Sequence, residues 1–537
     1  MIRLTGCKLP TEHSLRELEQ YIEKKLGLSA GQYQYRITKR SIDARKKPHI
    51  FFVYTLDVSV ANEKKWQNQR LPADIQLVED NMYRLPVPGV NKLSQRPVII
   101  GTGPAGLFCG YLLAEMGYRP ILIERGQTVE ERLRTVEHFW QTGELDSSSN
   151  VQFGEGGAGT FSDGKLNTLI KDHFGRGRLV LETFVRFGAD NEILYDYKPH
   201  IGTDRLQQLI PNMRRRMQEL GAEFHFSTCL TDLVIRSGMI EQIIVKGPTG
   251  EECMTVGPVV LALGHSARDT FRLLWQKELP MEAKPFAVGY RVEHPQSLIN
   301  MSQYGVADHA VLGAAPYKVT YRREDEKRGV YSFCMCPGGF VVNASSEPGR
   351  LAVNGMSYHD RAGVNANSAI ITSVSTADFE ASDALAGLRF QEQLEERAYA
   401  LAKGRIPVQY FMDFCIGKAT EKIDPAYRPQ IKGQWQPADV SSLLPAGLNT
   451  GIIAAMHHFA KQIPGFDHKH AIFSGIESRT SSPIRLLRNE NLESAIAGLY
   501  PCGEGAGYAG GIMSAAIDGL KVAEAIIRKY SQPVVAD

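Results

Sequence analysis

The chain has 537 residues. A single hydrophobic core does not normally extend over so many residues, so two or three domains are expected. Hydrophobic residues make up 43% and charged residues 22%, and the formal net charge of +2 excludes a chain that binds nucleic acid along its whole length. The eight scattered cysteines exclude a disulfide framework and favour a cytoplasmic protein. The first residues lack the apolar run of a signal peptide and no stretch is apolar enough to span a bilayer, so membrane insertion is not expected.

Residues 1–90 are predicted to form a small α/β module with excess positive charge. Helical periodicity over 11–26 ends at Gly27, and strands are predicted on either side of it. The segment holds 15 Lys and Arg against 10 Asp and Glu, and the excess is densest over 36–47. A solvated face is one interpretation. A docking site for RNA, an acidic protein or an anionic substrate is the other.

A dinucleotide-binding fingerprint follows the linker near 85–95, in VIIGTGPAGLFCGYLLAEMGYRPILIER. Gly101 permits the tight turn after a strand, Gly103 lets the backbone approach a pyrophosphate, and Gly106 lets the next helix pack on the strand. Glu124 ends the second strand, where a carboxylate that binds ribose hydroxyls is expected. The cofactor-binding residues predicted here are Gly101, Gly103, Pro104, Ala105, Gly106, Glu124 and Arg125.

A second glycine segment near the end of the chain favours FAD over NAD. Residues 499–516, LYPCGEGAGYAGGIMSAA, predict a strand, a turn and a helix that aims its N-terminus at the flavin pyrimidine edge. Glu504 is expected to hold the ribityl or pyrophosphate region. A third cluster at 152–167 is predicted to pass the isoalloxazine, with a ligand-free loop as the alternative, and VLALGHS at 260–266 predicts a turn beneath the cofactor. These segments add Gly156, Gly157, Gly159, Thr160, Gly264, Gly503, Glu504, Gly510, Gly511 and Ile512 to the predicted set.

Together these segments resemble one bacterial family, the FAD-dependent dehydrogenase-like proteins described as NAD(FAD)-utilizing dehydrogenases, within the glutathione-reductase-type FAD superfamily. The resemblance covers nearly the whole chain. It implies an FAD fold with an inserted β domain over the flavin, and it supplies no substrate. Its further matching stretches are GHSARDTF (264–271), KPFAVGYRVEHPQ (284–296), FCMCPGGFVVNASSE (333–347), NGMSYHDR (354–361) and ESRTSSPIRLLR (477–488).

The predicted fold class is α/β. A Rossmann-type FAD/NAD(P)-binding domain is formed by residues 95–284 and 471–530, and an inserted, mostly antiparallel β substrate domain occupies 285–470. The N-terminal module covers 1–90.

The chemistry predicted from these motifs is that of an FAD-dependent oxidoreductase acting on a small-molecule substrate. No second fingerprint occurs, so NAD(P)H as reductant would be a transient visitor to the substrate cleft. Arg479 and Tyr358 are the catalytic candidates, Arg479 as a cation for a substrate carboxylate or phosphate, with a capping turn as the alternative. The pair Cys334 and Cys336 is interpreted as packing, and no metal site is predicted.

Two other functions stay open at this point. The first is an FAD-stabilised binding protein, or an RNA- or protein-modifying one, recruited to its partner through residues 1–90. The second is the reduction of a polyprenyl chain or a quinone, which lacks the support of an amphipathic membrane helix. The sequence indicates no oligomeric state.

Overall fold

The structure is a computed structural model that describes all residues except 62, 64–65, 67–69, 81, 323–327, 380–382 and 534–537. Its N-terminal part is a four-stranded antiparallel sheet in the order β2-β3-β1-β4, covered by one helix. The helix begins after Ser14, whose hydroxyl and backbone form a capping box with Glu17, and ends at Gly27 as predicted. The elements are β1 (Ile2–Pro10), α1 (Leu15–Leu26), β2 (Tyr33–Lys46), β3 (His49–Val60) and β4 (Ile75–Leu77).

The basic stretch of this module docks onto the rest of the chain. The Arg40 N–H donates to the Tyr195 carbonyl (2.7 Å), and its guanidinium pairs with Asp196 (2.7 Å) and Glu192 (2.6 Å). Arg36 pairs with acids of the module itself. Much of the predicted positive excess is therefore engaged within the protein.

The centre of the fold is a five-stranded, fully parallel sheet in the order β24-β11-β5-β6-β7, in which β24 is Leu499–Pro501. Its three inner strands, β11, β5 and β6, are short runs of Val, Ile and Leu because both faces of the sheet are buried, one under helices and the other under β8 and β9. A small antiparallel sheet of β8, β9 and β10 lies beside it. The elements up to residue 276 are β5 (Val98–Ile100), α2 (Pro104–Glu115), β6 (Ile121–Ile123), α3 (Val129–Thr142), α4 (Arg176–Arg186), α5 (Thr203–Glu219), β7 (Glu223–His225), β8 (Cys229–Arg236), β9 (Met239–Gly247), β10 (Gly250–Thr255), β11 (Val259–Leu261) and α6 (Arg268–Gln276).

A seven-stranded sheet follows, in the order β14-β15-β18-β13-β22-β19-β21. Every neighbouring pair is antiparallel except β19 with β21, and a β-bulge interrupts β15 between Phe333 and Cys336. Its elements and those around it are β12 (Met281–Ala283), β13 (Phe286–Pro295), α7 (Gln296–Tyr304), β14 (Thr320–Arg322), β15 (Gly329–Cys336), β16 (Phe340–Asn343), β17 (Val353–Met356), β18 (Asn365–Val374), α8 (Ala386–Ala402), β19 (Ile406–Tyr410), α9 (Phe411–Cys415), β20 (Ile431–Lys432), β21 (Trp435–Pro437), α10 (Ala446–Ala460), β22 (Ile472–Glu477) and β23 (Ile484–Leu486).

The chain then returns to the parallel sheet through β24 (Leu499–Pro501) and α11 (Ile512–Lys529). Because β22 pairs with β13 and β19, this return comes after residue 477 rather than at 471. The helix predicted over 381–403 begins at Ala386, and its first two predicted residues lie outside the described part. The mixed α/β class is confirmed, and no described helix is long and apolar enough to cross a membrane.

Candidate functional site

One cleft, of about 330 Å³, opens where the parallel strands end at their carboxyl edge. Glycine turns after β5 and β24, the loop at 150–167 and the end of β22 form its walls. The predicted residues that line it are Gly101, Gly103, Pro104, Ala105, Glu124, Arg125, Gly157, Gly159, Gly264, Glu504, Gly510, Gly511, Ile512 and Arg479. The predicted residues outside the lining are Gly106, Gly156, Thr160, Gly503 and Tyr358.

The fingerprint turn leaves a narrow, side-chain-free passage. Gly103 is the N-cap residue of α2, and no side chain caps that helix, so its first N–H groups face the cleft. Gly157 lies opposite, where a Cβ would come within 3.0 Å of the Gly103 Cα. Gly106 serves packing instead, because a Cβ there would lie 1.9 Å from the Gly101 carbonyl oxygen. This cradle fits a pyrophosphate.

Glu124 lies on the cleft wall, and four protein donors already engage its carboxylate. The Thr102 N–H (2.9 Å) and hydroxyl (2.8 Å) donate to Oε2, while the Gly126 and Gly154 N–H groups donate to Oε1 at 2.9 and 3.1 Å. A carboxylate has about four lone-pair positions, so a ribose hydroxyl that reaches Glu124 has to share them. Glu124 therefore also ties the fingerprint turn to the loop at 154.

The opposite wall is the N-terminus of α11. Gly511 precedes the helix without a side-chain cap, and its N–H donates to Glu504 Oε2 (3.3 Å). Burial raises the pKa of Glu504 to about 7, although this N–H and Lys284 favour the ionised form. Two uncapped helix N-termini thus open on the same cleft.

Arg132 holds the loop at 150–157 in place. This residue was not identified from the sequence. Its fully buried guanidinium donates to the carbonyls of Asn150 (2.8 Å), Val151 (2.9 Å), Glu155 (2.8 Å) and Gly157 (2.9 Å). Burial lowers its pKa to about 10. The sequence feature that could have indicated Arg132 is its place on the apolar face of an amphipathic helix, four residues after the N-cap Thr128.

The two catalytic candidates have other roles. Arg479 lines the cleft, but its Nε and Nη2 pair with Glu395 at 2.8 and 2.7 Å, and its Nη1 donates to Ser266 and Ser346. With its nitrogens engaged, Arg479 is not free to bind a substrate anion. Tyr358 lies off the cleft, where its ring packs edge-on against Phe340 with centroids 5.7 Å apart. We therefore correct both assignments.

The end of the cleft under the seven-stranded sheet is polar. Glu477, the last residue of β22, is buried, and the guanidinium of Arg291 donates from Nε to its Oε2 (2.8 Å). Lys165 and Asn354 line the same end, as does Cys334, whose backbone lies at the β15 bulge with φ +42°. An acid closing an otherwise apolar strand, IFSGIE, was the available signal for Glu477. No three described His, Cys, Asp or Glu residues are grouped so as to hold a metal ion.

Sequence comparison identifies two families along the chain. Residues 285–480 match the family described as "FAD-dependent protein, C-terminal domain-like", and residues 1–59 match a domain of unknown function, DUF8436. A protein of Clostridium beijerinckii, described as uncharacterized, is 45% identical over 537 residues and is matched over 99% of each chain.

Similarity to solved structures is weaker. Glycine oxidase from Bacillus cereus is 12% identical, over 81% of this chain and 95% of that one, with a TM-score of 0.34. L-amino acid deaminase from Proteus vulgaris is 11% identical, over 84% and 97%, with a TM-score of 0.32. THI4 from Thermovibrio ammonificans is 18% identical over 35% of this chain and 63% of that one, with a TM-score of 0.24. We take neither reaction nor substrate from these three proteins.

The family itself rests on the C. beijerinckii relative and on the matched C-terminal domain. The relative extends over the full length, and the domain match covers the seven-stranded sheet with Arg291, Glu477 and Arg479. FAD is the cofactor indicated by the matched domain, and the chain belongs to the same family as its C. beijerinckii relative.

Proposed function

We propose that the protein is an FAD-dependent oxidoreductase whose small-molecule substrate enters the polar end of the cleft. The observation that carries this proposal is that the cofactor cradle and the polar groups belong to one continuous cleft. One cleft runs from the glycine cradle between Gly103 and Gly157 to the polar groups at Lys165 and Glu477. A cofactor held in the cradle therefore shares its cavity with groups able to bind and protonate a substrate.

Different residues along the cleft would bind different parts of the cofactor. The N-termini of α2 and α11 present unbonded N–H groups and partial positive charge to anionic parts of the cofactor. Gly101, Gly103, Gly157 and Gly159 would hold its pyrophosphate. When bound, FAD supplies the acceptance and donation of a hydride or of single electrons.

A nicotinamide reductant would use the same cavity. The sequence contains one dinucleotide fingerprint, at 98–125, and that fingerprint is assigned to FAD. We propose that NADH or NADPH, if it is the reductant, binds at the polar end and leaves before the second substrate enters. Such alternate occupation gives ping-pong kinetics.

The test is an anaerobic titration of the flavin-loaded protein with NADH and with NADPH, followed in the visible spectrum. Bleaching of the oxidised-flavin bands, and their recovery on addition of an electron acceptor, are expected of the oxidoreductase. If the oxidised-flavin bands persist with both NADH and NADPH, the reductant is an organic substrate instead. Bands that resist even dithionite would contradict redox chemistry and favour a structural flavin in a binding protein.

A further inference from the structure

The polar end of the cleft contains a buried acid with one oxygen unused. Glu477 is 4% exposed and lines the cleft. Its Oε2 accepts from Arg291, whereas no donor among the described residues reaches Oε1. This oxygen borders the cleft without a protein donor, so it is placed to meet a ligand that enters there.

Two donors at the same end also have unused hydrogens. The Lys165 ammonium donates to the Met335 carbonyl and pairs with Asp163 (3.0 Å), which leaves one of its three hydrogens. Asn354 accepts through Oδ1 from Arg291 (2.8 Å), and its Nδ2 meets no acceptor in the described part of the chain.

The β15 bulge brings these groups together. Arg291 Nη1 donates to the Cys334 carbonyl (2.8 Å), and Lys165 donates to the next carbonyl along the chain. The guanidinium that holds Glu477 also holds Asn354. Glu477, Asn354 and Lys165 are thus held, directly or through Arg291, by the carbonyls of Cys334 and Met335.

The charges at this end favour an anion. Asp163 pairs with both Lys165 and Arg361 (2.6 Å), so two cations share one carboxylate. The local field is therefore positive unless an anion enters.

We propose that this end of the cleft binds a small organic carboxylate, with Lys165 and Asn354 Nδ2 donating to its two oxygens and Glu477 taking up a proton as it binds. The inference rests on the proposed function, since it assigns the substrate class of the same cleft. Two donors match the two oxygens of a carboxylate, whereas the second negative charge of a phosphate would face Asp163 and Glu477.

The proton uptake follows from the surroundings of Glu477. Burial raises its pKa to about 7, with Arg291 opposing and Cys334 adding to the rise. The titratable and charged groups that face it are Arg291 from β13 and Cys334 from β15, with Lys165 across the cleft. A bound anion disfavours the ionised form further, so above neutral pH a proton from solvent converts the carboxylate to the acid.

The test is calorimetric titration of the flavin-loaded protein with propionate, benzoate and inorganic phosphate, each in two buffers of different ionisation enthalpy. We expect a carboxylate to bind at least about 10-fold more tightly than phosphate. We expect uptake approaching about one proton near pH 8, falling toward zero near pH 6. Lys165→Met should weaken binding by about 10-fold, whereas the exposed Lys246→Met should leave it unchanged. Glu477→Gln should keep binding and lose the uptake.

Several outcomes would overturn the inference while the proposed function stands. Absence of carboxylate binding by a protein with intact flavin bands, or tighter binding of phosphate, would refute the substrate class. Uptake that persists in Glu477→Gln would refute the proton acceptor. Should Lys165→Met fail to fold, Asn354→Asp keeps the acceptor for Arg291 and removes the second donor, so it should weaken carboxylate binding by about 10-fold, and unchanged affinity would count against the donor pair. Absence of flavin bands would instead count against the proposed function.

Discussion

At the scale of single residues, Arg132 carries the clearest consequence for the cofactor. We expect Arg132→Met to lower the free energy of unfolding by about 3 kcal/mol, because five carbonyls of the loop at 150–157, most of them buried, lose their donor. The loop also carries Gly157, so FAD affinity should fall with it. Chemical denaturation and flavin content measure the two effects. Arg134→Met, on the exposed face of the same helix, is the control and should change neither.

Arg479 separates a positioning role from a catalytic one. We expect Arg479→Gln to cost about 3 kcal/mol of stability, because it removes one of the two guanidiniums that hold buried Glu395 and leaves that charge partly unpaired. The exposed Arg236→Gln should cost less than about 0.5 kcal/mol. If the Arg479→Gln variant keeps its stability and loses only turnover, Arg479 binds the substrate and its role is not structural.

Residues that act through local backbone were predictable from the sequence, and those that act through distant partners were not. Gly103 and Gly511 could be placed because a fingerprint fixes its own geometry within a few residues. Glu477 depends on Arg291, 186 residues earlier, and Arg479 is held by Glu395, 84 residues earlier. Sequence spacing does not indicate such pairs. The prediction of Arg479 as a free cation was wrong for this reason.

At the scale of elements, the turn between β5 and α2 constrains Gly101 both in its backbone conformation and in the space around it. Gly101 has φ +100°, and a Cβ there would lie 2.4 Å from the Ala262 carbonyl oxygen. We expect Gly101→Ala to destabilise the fold by about 3 kcal/mol, through backbone strain and displacement of β11. Thermal unfolding measures this. Gly447→Ala, where a Cβ meets no atom within 4 Å, should shift the melting temperature little.

Element positions along the chain were largely predictable, and sheet membership was less so. Hydrophobic period and capping residues mark α1, α2 and β5, and the observed bounds differ by only a few residues. The pattern of β22 is equally clear, but its partners are β13 and β19, about 180 and 65 residues earlier. The predicted boundary at 470 therefore misplaced that strand.

At the scale of the whole molecule, Arg40 is one of the residues that join the N-terminal module to the rest of the protein, together with Lys47, which donates to the Ser302 carbonyl, and Ile50, which packs in the core of the seven-stranded sheet. We expect Arg40→Ala to let residues 1–80 open before the remainder, because Asp196 and Glu192 lose their cation. Limited proteolysis should then cleave the module first. Arg45→Ala, which removes only an exposed pair with Asp43, should leave the digestion pattern unchanged. Equal protection in both variants would show that Arg40 does not hold the module in place.

The assignment of FAD to this cleft is tested most directly by the flavin content of Gly103→Ala beside the wild type. Gly103 has φ −69°, which alanine adopts, and its Cβ would lie 3.8 Å from the nearest protein atom, Gly157 Cα, inside the cradle. We expect the variant to fold with the stability of the wild-type apoprotein and to lack the oxidised-flavin bands that the wild type shows after reconstitution with FAD. A folded Gly103→Ala variant that binds FAD at full stoichiometry and with wild-type affinity would place the cofactor elsewhere.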